Sequence, residues 1–132
     1  MKKLEIGITG TSELTVRTEN LAINVGSGSL EVFSTPDMIM LMEKAACNCI
    51  SEYLENDETS VGTEINVKHI SATPNNMKVC AEAELTEING RELVFSVKAY
   101  DEAGEIGEGT HKRFTVYGEK FTSKANSKLT LK

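Results

Sequence analysis

Apolar and polar positions along the chain follow two periods that change over near residue 55. In EVFSTPDMIMLMEKAACNCISEYL, residues 31–54, Met38, Met42, Ala45, Cys49 and Tyr53 recur at steps of three and four. Lys44, Asn48, Ser51 and Glu52 gather on the opposite side. The spacing predicts one long helix of roughly 19 residues, about 28 Å from end to end. Thr35 is the expected N-cap, Pro36 suits the first helical position and Asp37 suits the positive end of the helix dipole. Glu43 breaks the sorting. At about 100° per residue it projects between Ile50 and Leu54, inside the apolar arc, where a carboxylate faces burial.

The rest alternates. LEIGIT and ELTVRTE read as one or two strands around Gly10. ENLAINVGSGSL, residues 19–30, reads as a mobile Gly/Ser connection over the helix start, and ENDETSVG, residues 55–62, as a polar loop. In TEINVKHIS, Thr63, Ile65, Val67 and His69 share the face expected to look inward. Met77, Val79, Ala81, Ala83 and Leu85 form the inner face of the next strand. Asn89-Gly90 signals a tight hairpin, after which Leu93, Phe95, Val97 and Ala99 continue the core face. DEAGE is a further turn before the last strand, IGEGTHKRFTVY. Short connections imply an antiparallel meander, so the expected fold class is α+β, a curved sheet around one apolar helix.

Composition narrows the function classes. A chain of 132 residues with a formal net charge of −6 and no basic run before its end is a single domain with no nucleic-acid footprint. No apolar run reaches the roughly 20 residues of a membrane span, and MKKLEIGITG is too polar for a signal peptide. Cys47, Cys49 and Cys80 are an odd count without a C-x-x-C pair, which suggests free thiols in a reducing cytoplasm and no zinc site. The last residues, about 122–132, carry Lys124, Lys128 and Lys132 and are expected to be a partly flexible basic tail.

Taken singly, each candidate reactive group has an ordinary explanation. Thr35 caps a helix, Glu43 reaches the surface at the edge of the arc, and His69 is a satisfied core histidine. His111 is set opposite Phe114 and Val116 and reads as a surface or supporting residue. Together, a hydroxyl, a carboxylate and an imidazole near a donor-rich helix start would suit acyl transfer.

Three blocks carry a resemblance. VFSTPDMIMLMEKAA, VGTEINVKHISATP and EINGRELVFSVKAYDEAGEIGEGTHKRF, in that order and spacing, resemble the hotdog-fold thioesterases of the fluoroacetyl-CoA thioesterase type, from about residue 14 to 121. The resemblance implies a hotdog fold, a homodimer or higher assembly, an acyl-CoA substrate and no cofactor. It implies that Thr35, Glu43 and His69 are catalytic. Gly62 would lend a backbone N–H near the thioester, and Phe33 and Arg113 would lie at the substrate. Selective members cover the acyl pocket with aromatic residues in the connection before the helix. Here Phe33 is the only aromatic, which implies a broader small or medium acyl range, with Met38, Met42 and Ala46 as walls. The expected activity is hydrolysis of an acyl-CoA to carboxylic acid and free CoA. Glu43 would activate water or attack, His69 would shuttle the proton, and Thr35 would hold the nucleophile or be it. A hotdog enoyl-thioester hydratase or dehydratase and a non-catalytic acyl-CoA binding protein are the alternatives.

Overall fold

Five antiparallel strands curl around one long helix in the computed structural model, which describes residues 1–131. Strand β1 (Thr9–Thr15) leads through a short helical turn α1 (Ala22–Val25) to the central helix α2 (Thr35–Ile50). β2 (Glu58–His69), β3 (Lys78–Asn89), β4 (Glu92–Asp101) and β5 (Gly104–Tyr117) follow, and helix α3 (Gly118–Asn126) closes the chain with a 3-10 turn at Ser127–Thr130. The sheet order is β1-β3-β4-β5-β2, so the fold is the α+β hotdog architecture.

Strands β3, β4 and β5 form the expected meander, but β2 does not pair with β3. It crosses to the far edge and pairs with β5, leaving β1 to pair with β3. The turn of the β3–β4 hairpin is Gly90-Arg91, with only Gly90 at positive φ. The polar loop after the helix is shorter than expected, because Glu58–Gly62 already belong to β2.

α2 spans 16 residues, and Ser51–Tyr53 add a single 3-10 turn. Its buried face is Met38, Leu41, Met42, Ala45, Ala46, Cys49 and Ile50. That face packs on Val79, Ala81, Ala83 and Leu85 of β3 and Leu93, Phe95, Val97 and Ala99 of β4, all essentially inaccessible to water. Gly10 allows β1 to cross the helix, since a Cβ there would fall inside the backbone at Ala45 and Cys49.

β2 is the exposed edge. None of its twelve residues is fully buried, and Gly62 through Asn66 are open to solvent. Val67 and His69 are half-buried as expected, but Thr63 and Ile65 are not. The register against β5 slips here. Gly62 pairs with Arg113 and Glu64 with Lys112, which makes Thr63 an inserted residue. The slip brings Gly62 into phase with Ile65, Val67 and His69 on one face of the strand.

The connection at residues 19–30 is tied rather than free. Ala22 and Ile23 donate to the carbonyls of Val32 and Leu30, and Ser34 donates to Asn20. The basic tail is helical through Asn126. Lys132, the last of its lysines, lies outside the described residues.

Candidate active site

At the start of α2 the cap is Ser34, not Thr35. Ser34 is extended, and its Oγ accepts the N–H of Asp37 at 3.1 Å. Thr35 therefore occupies the first helical position and Pro36 the second, which frees the Thr35 hydroxyl from capping. It hydrogen-bonds the His69 Nδ1 at 2.8 Å, joining the helix start to the last residue of β2. Phe33 packs edge-on to the His69 ring, with centroids 6.5 Å apart at 77°, and is itself buried.

The His69 Nε2 is buried with no hydrogen-bond partner among the described residues. Burial holds the His69 pKa below its ordinary value, against the opposing pull of the Ser71 backbone. The ring is thus neutral near pH 7 and can accept a proton. A cavity of about 280 Å³ opens beside the pair. Ala22, Ser27, Val32, Ile70 and Ala72 contribute to its lining, together with Phe33. Met38, Met42 and Ala46, expected as acyl walls, instead face the sheet in the fully buried core.

Glu43 belongs to a second cluster. Its side chain leaves α2 at the margin of the apolar arc and is 42% exposed, not buried as the helical wheel suggests. The Arg113 Nη1 stands 3.5 Å from its Oε2. Arg113 is buried and held from three sides. Its Nε and Nη2 donate to the Oγ and carbonyl of Ser60, at 2.8 and 3.0 Å, and its Nη1 lies 3.1 Å from the His111 Nε2. The guanidinium is committed to Glu43 and its supports rather than open to a ligand.

His111 corrects the sequence reading. It is 1% exposed, stacks on Phe95 and directs Nδ1 to the Glu64 carbonyl at 2.8 Å. A carbonyl can only accept, so Nδ1 carries the hydrogen; Nε2 of the neutral ring then accepts from Arg113. Burial, aided by the Arg113 charge, lowers the pKa of His111. Phe114 misled the face assignment: it points outward, 37% exposed, beneath the Arg91 guanidinium. The helix-facing side of β5 is Gly107, Gly109, His111 and Arg113, opposite Ala99, Val97, Phe95 and Leu93. The two glycines marked that side: at Gly107 helix α2 leaves no room, and at Gly109 a Cβ would run into the β2 backbone at Asn66 and Val67. A Cβ on Gly107 would stand 2.6 Å from the Met38 sulfur. Ser60 carried no comparable signal.

Gly62 faces the Glu43 carboxylate. A Cβ there would stand 2.7 Å from Oε2, 3.2 Å from the His111 Cε1 and 3.4 Å from the Arg113 Nη1. Glu43, Gly62 and His111 border a cavity of about 200 Å³. The fold therefore brings Thr35, His69 and Phe33 together, and separately Glu43, Gly62 and Arg113. Gly62 and His69 are six strand steps apart once the inserted residue is allowed for, about 20 Å. Within one chain the two groups stay apart. Among the described residues no three His, Cys, Asp or Glu side chains are grouped to hold a metal ion.

Residues 16–119 match the model of a family described as fluoroacetyl-CoA-specific thioesterase. The fluoroacetyl-CoA thioesterase of Streptantibioticus cattleyicolor is 45% identical over 98 residues, covering 74% of this chain and 70% of that protein. A single-substitution variant of the fluoroacetyl-CoA thioesterase FlK, solved in complex with acetyl-CoA, superposes with a TM-score of 0.89 at 36% identity. The match covers 95% of this chain and 98% of the other. A hot-dog-like protein from Thermanaerovibrio acidaminovorans shares the fold at 19% identity, with a TM-score of 0.85 over 96% and 94% of the two chains. The chain belongs to the fluoroacetyl-CoA-specific thioesterase family, and its enzyme class is that of an acyl-CoA thioester hydrolase.

Proposed function

We propose that this thioesterase hydrolyses a small or medium acyl-CoA at a site that two copies of the chain complete. The observation that carries the chemistry is the Thr35–His69 hydrogen bond at 2.8 Å, with a neutral imidazole whose other nitrogen is buried and unpartnered. A hydroxyl against a base held in place by packing is the arrangement of an activated nucleophile. Thr35 Oγ1 attacks the thioester carbonyl carbon as His69 accepts its proton. The tetrahedral oxyanion is received by the Gly62 N–H and the Thr35 N–H at the start of α2, where Ser34 already takes the Asp37 and Met38 N–H groups. Collapse breaks the C–S bond, and His69 protonates the departing CoA thiolate. Water, activated by Glu43, then attacks the Thr35 ester; the acid leaves and the hydroxyl is restored. Each step uses only side chains, backbone donors and water.

The acyl group occupies the cavity beside Thr35, whose Ala22, Ser27 and Ala72 leave space without an aromatic cover other than Phe33. The three free thiols suit a cytoplasmic setting.

The exposed edge of β2 supports the pairing of two copies. Antiparallel pairing of the two edges about Asn66 would set Ile65 against Val67 of the partner subunit and Glu64 against Lys68 of the partner subunit, a pair of opposite charges. It would also set Gly62 against His69 of the partner subunit, because the inserted Thr63 keeps those residues on one face. Glu43 and Gly62 of one copy then join Thr35 and His69 of the other. Light scattering should give a dimer or a higher even assembly. A panel of acyl-CoAs of increasing length, followed with a thiol reagent, tests the activity. Thiol release that is fastest for small or medium chains is expected. Hydration without release, or binding without turnover, would overturn the proposal.

A further inference from the structure

The proposed chemistry accounts for the thioester end of the substrate and leaves its nucleotide end unplaced. A groove at the other end of the sheet offers a place for it. Helix α3 lies beside the end of β5 and the Arg91 turn, enclosing about 230 Å³ between Arg91, Val116, Tyr117, Lys120, Phe121 and Lys124. On a chain of net charge −6, three cations surround this space. Two aromatic rings, Tyr117 at 56% and Phe121 at 44% exposure, stand in it with their surfaces open.

Two nearby acids are already engaged. Glu58 pairs with the N-terminal amine at 2.8 Å, and Asp57 accepts the Glu119 N–H at 2.9 Å at the start of α3. The Arg91 Nε and Nη2 both donate to the Thr115 carbonyl, which anchors the guanidinium in position over Phe114. The lysines have no anionic partner among the described residues.

The position also fits. Gly62 pairs with Arg113 and Glu58 with Tyr117, so four residues of β5, about 13 Å, lead from the Glu43 cluster to the groove. The pantetheine arm, 13 bonds from sulfur to phosphorus, reaches roughly 16 Å when extended. We infer that this groove holds the 3′-phosphorylated adenosine diphosphate of the acyl-CoA, with Lys120, Lys124 and Arg91 at its phosphates and Tyr117 or Phe121 against its base. The inference rests on the acyl-CoA reading above and adds where that substrate is gripped. Phosphate groups favour cations arranged around them, and purines stack on exposed aromatic faces.

The test reads binding, so it does not depend on turnover. Calorimetry with free CoA compares the parent with Lys120→Gln/Lys124→Gln, a change that preserves side-chain length and helix propensity. Its Kd should rise about tenfold at low salt, with a smaller rise in 0.5 M salt, the scale of two lost charge-assisted contacts. The rise should shrink when dephospho-CoA, which lacks the 3′-phosphate, replaces CoA. Lys78→Gln/Lys98→Gln, which removes the same charge elsewhere, should leave the Kd near the parent's. Equal CoA affinity in the parent and the α3 variant, or an equal loss in both double variants, overturns the nucleotide site. Failure to release thiol from any acyl-CoA would strike the hydrolysis reading alone.

Discussion

Gly62→Ala probes how closely the backbone of β2 frames the Glu43 carboxylate. The new Cβ would stand 2.7 Å from Oε2, whereas ordinary contact begins near 3.4 Å, so the oxygen must retreat about 0.7 Å (3.4 − 2.7). The contact is with the end of a side chain 42% exposed, and Gly62 is not in the left-handed region of backbone space. The fold should yield cheaply, by under about 1 kcal/mol and less than about 5 °C in Tm. Catalysis should not. A misplacement near 1 Å costs on the order of a hundredfold, so kcat should drop by tens of fold. Steady-state hydrolysis and melting on the same preparation give both numbers. The double variant Gly62→Ala/Glu43→Gln isolates the cause: if alanine acts by displacing the carboxylate, the pair is no slower than Glu43→Gln alone. A Gly62→Ala enzyme within twofold of the parent kcat would refute the close placement of Glu43.

Ser34→Ala removes the observed cap and should cost about 1 kcal/mol of stability, read as a lower Tm; an unchanged Tm would contradict the capping assignment. Thr35→Ala should hold its Tm while losing kcat by at least about a hundredfold, and Thr35→Ser should keep most activity; the reverse order would remove Thr35 as nucleophile. His69 and His111 both titrate below the ordinary 6.5 in the folded chain, so the unfolded chain binds more protons as pH falls. Stability is therefore full above about pH 6.5 and declines below it through the folded values. His111→Gln should flatten part of that decline in a Tm-against-pH series, and a slope identical to the parent's would exclude His111 from it. The tied connection at residues 19–30 covers the acyl cavity, so proteolysis there should slow when a non-hydrolysable acyl-CoA binds; equal cleavage would exclude a lid.

The core was legible because its periods are clean. The alternation through Val79–Leu85 and Leu93–Ala99 and the helical stripe from Met38 to Cys49 each name the face that is buried. The strand order was not, because short connections suggest neighbours while β2 crosses to the far edge. The inward side of β5 was hidden for a different reason: it is made of two glycines, a histidine and an arginine, while Phe114 points out. Thr35 and His69 were legible as residues, but their contact depends on Ser34 taking the cap, a choice between adjacent hydroxyls that composition does not decide. Glu43 was legible as an exception to its helix face. Its pairing with Arg113, and the groups that hold Arg113, were not, since Ser60 comes from β2 while His111 and Arg113 come from β5, strands that meet only through the crossover.

The claim that two copies share one site is tested most directly by complementation. His69→Ala and Glu43→Gln are each expected to be nearly inactive alone, by at least about a hundredfold for the carboxylate. Dissociated, mixed in equal amounts and reassociated, half of the dimers carry one of each chain. In those, one of the two sites draws Thr35 and His69 from the Glu43→Gln chain and Glu43 and Gly62 from the His69→Ala chain. The mixture should recover about a quarter of the parent activity. Size and melting measurements would confirm that mixed dimers had formed. Mixed dimers that remain as inactive as their parents would contradict the shared site.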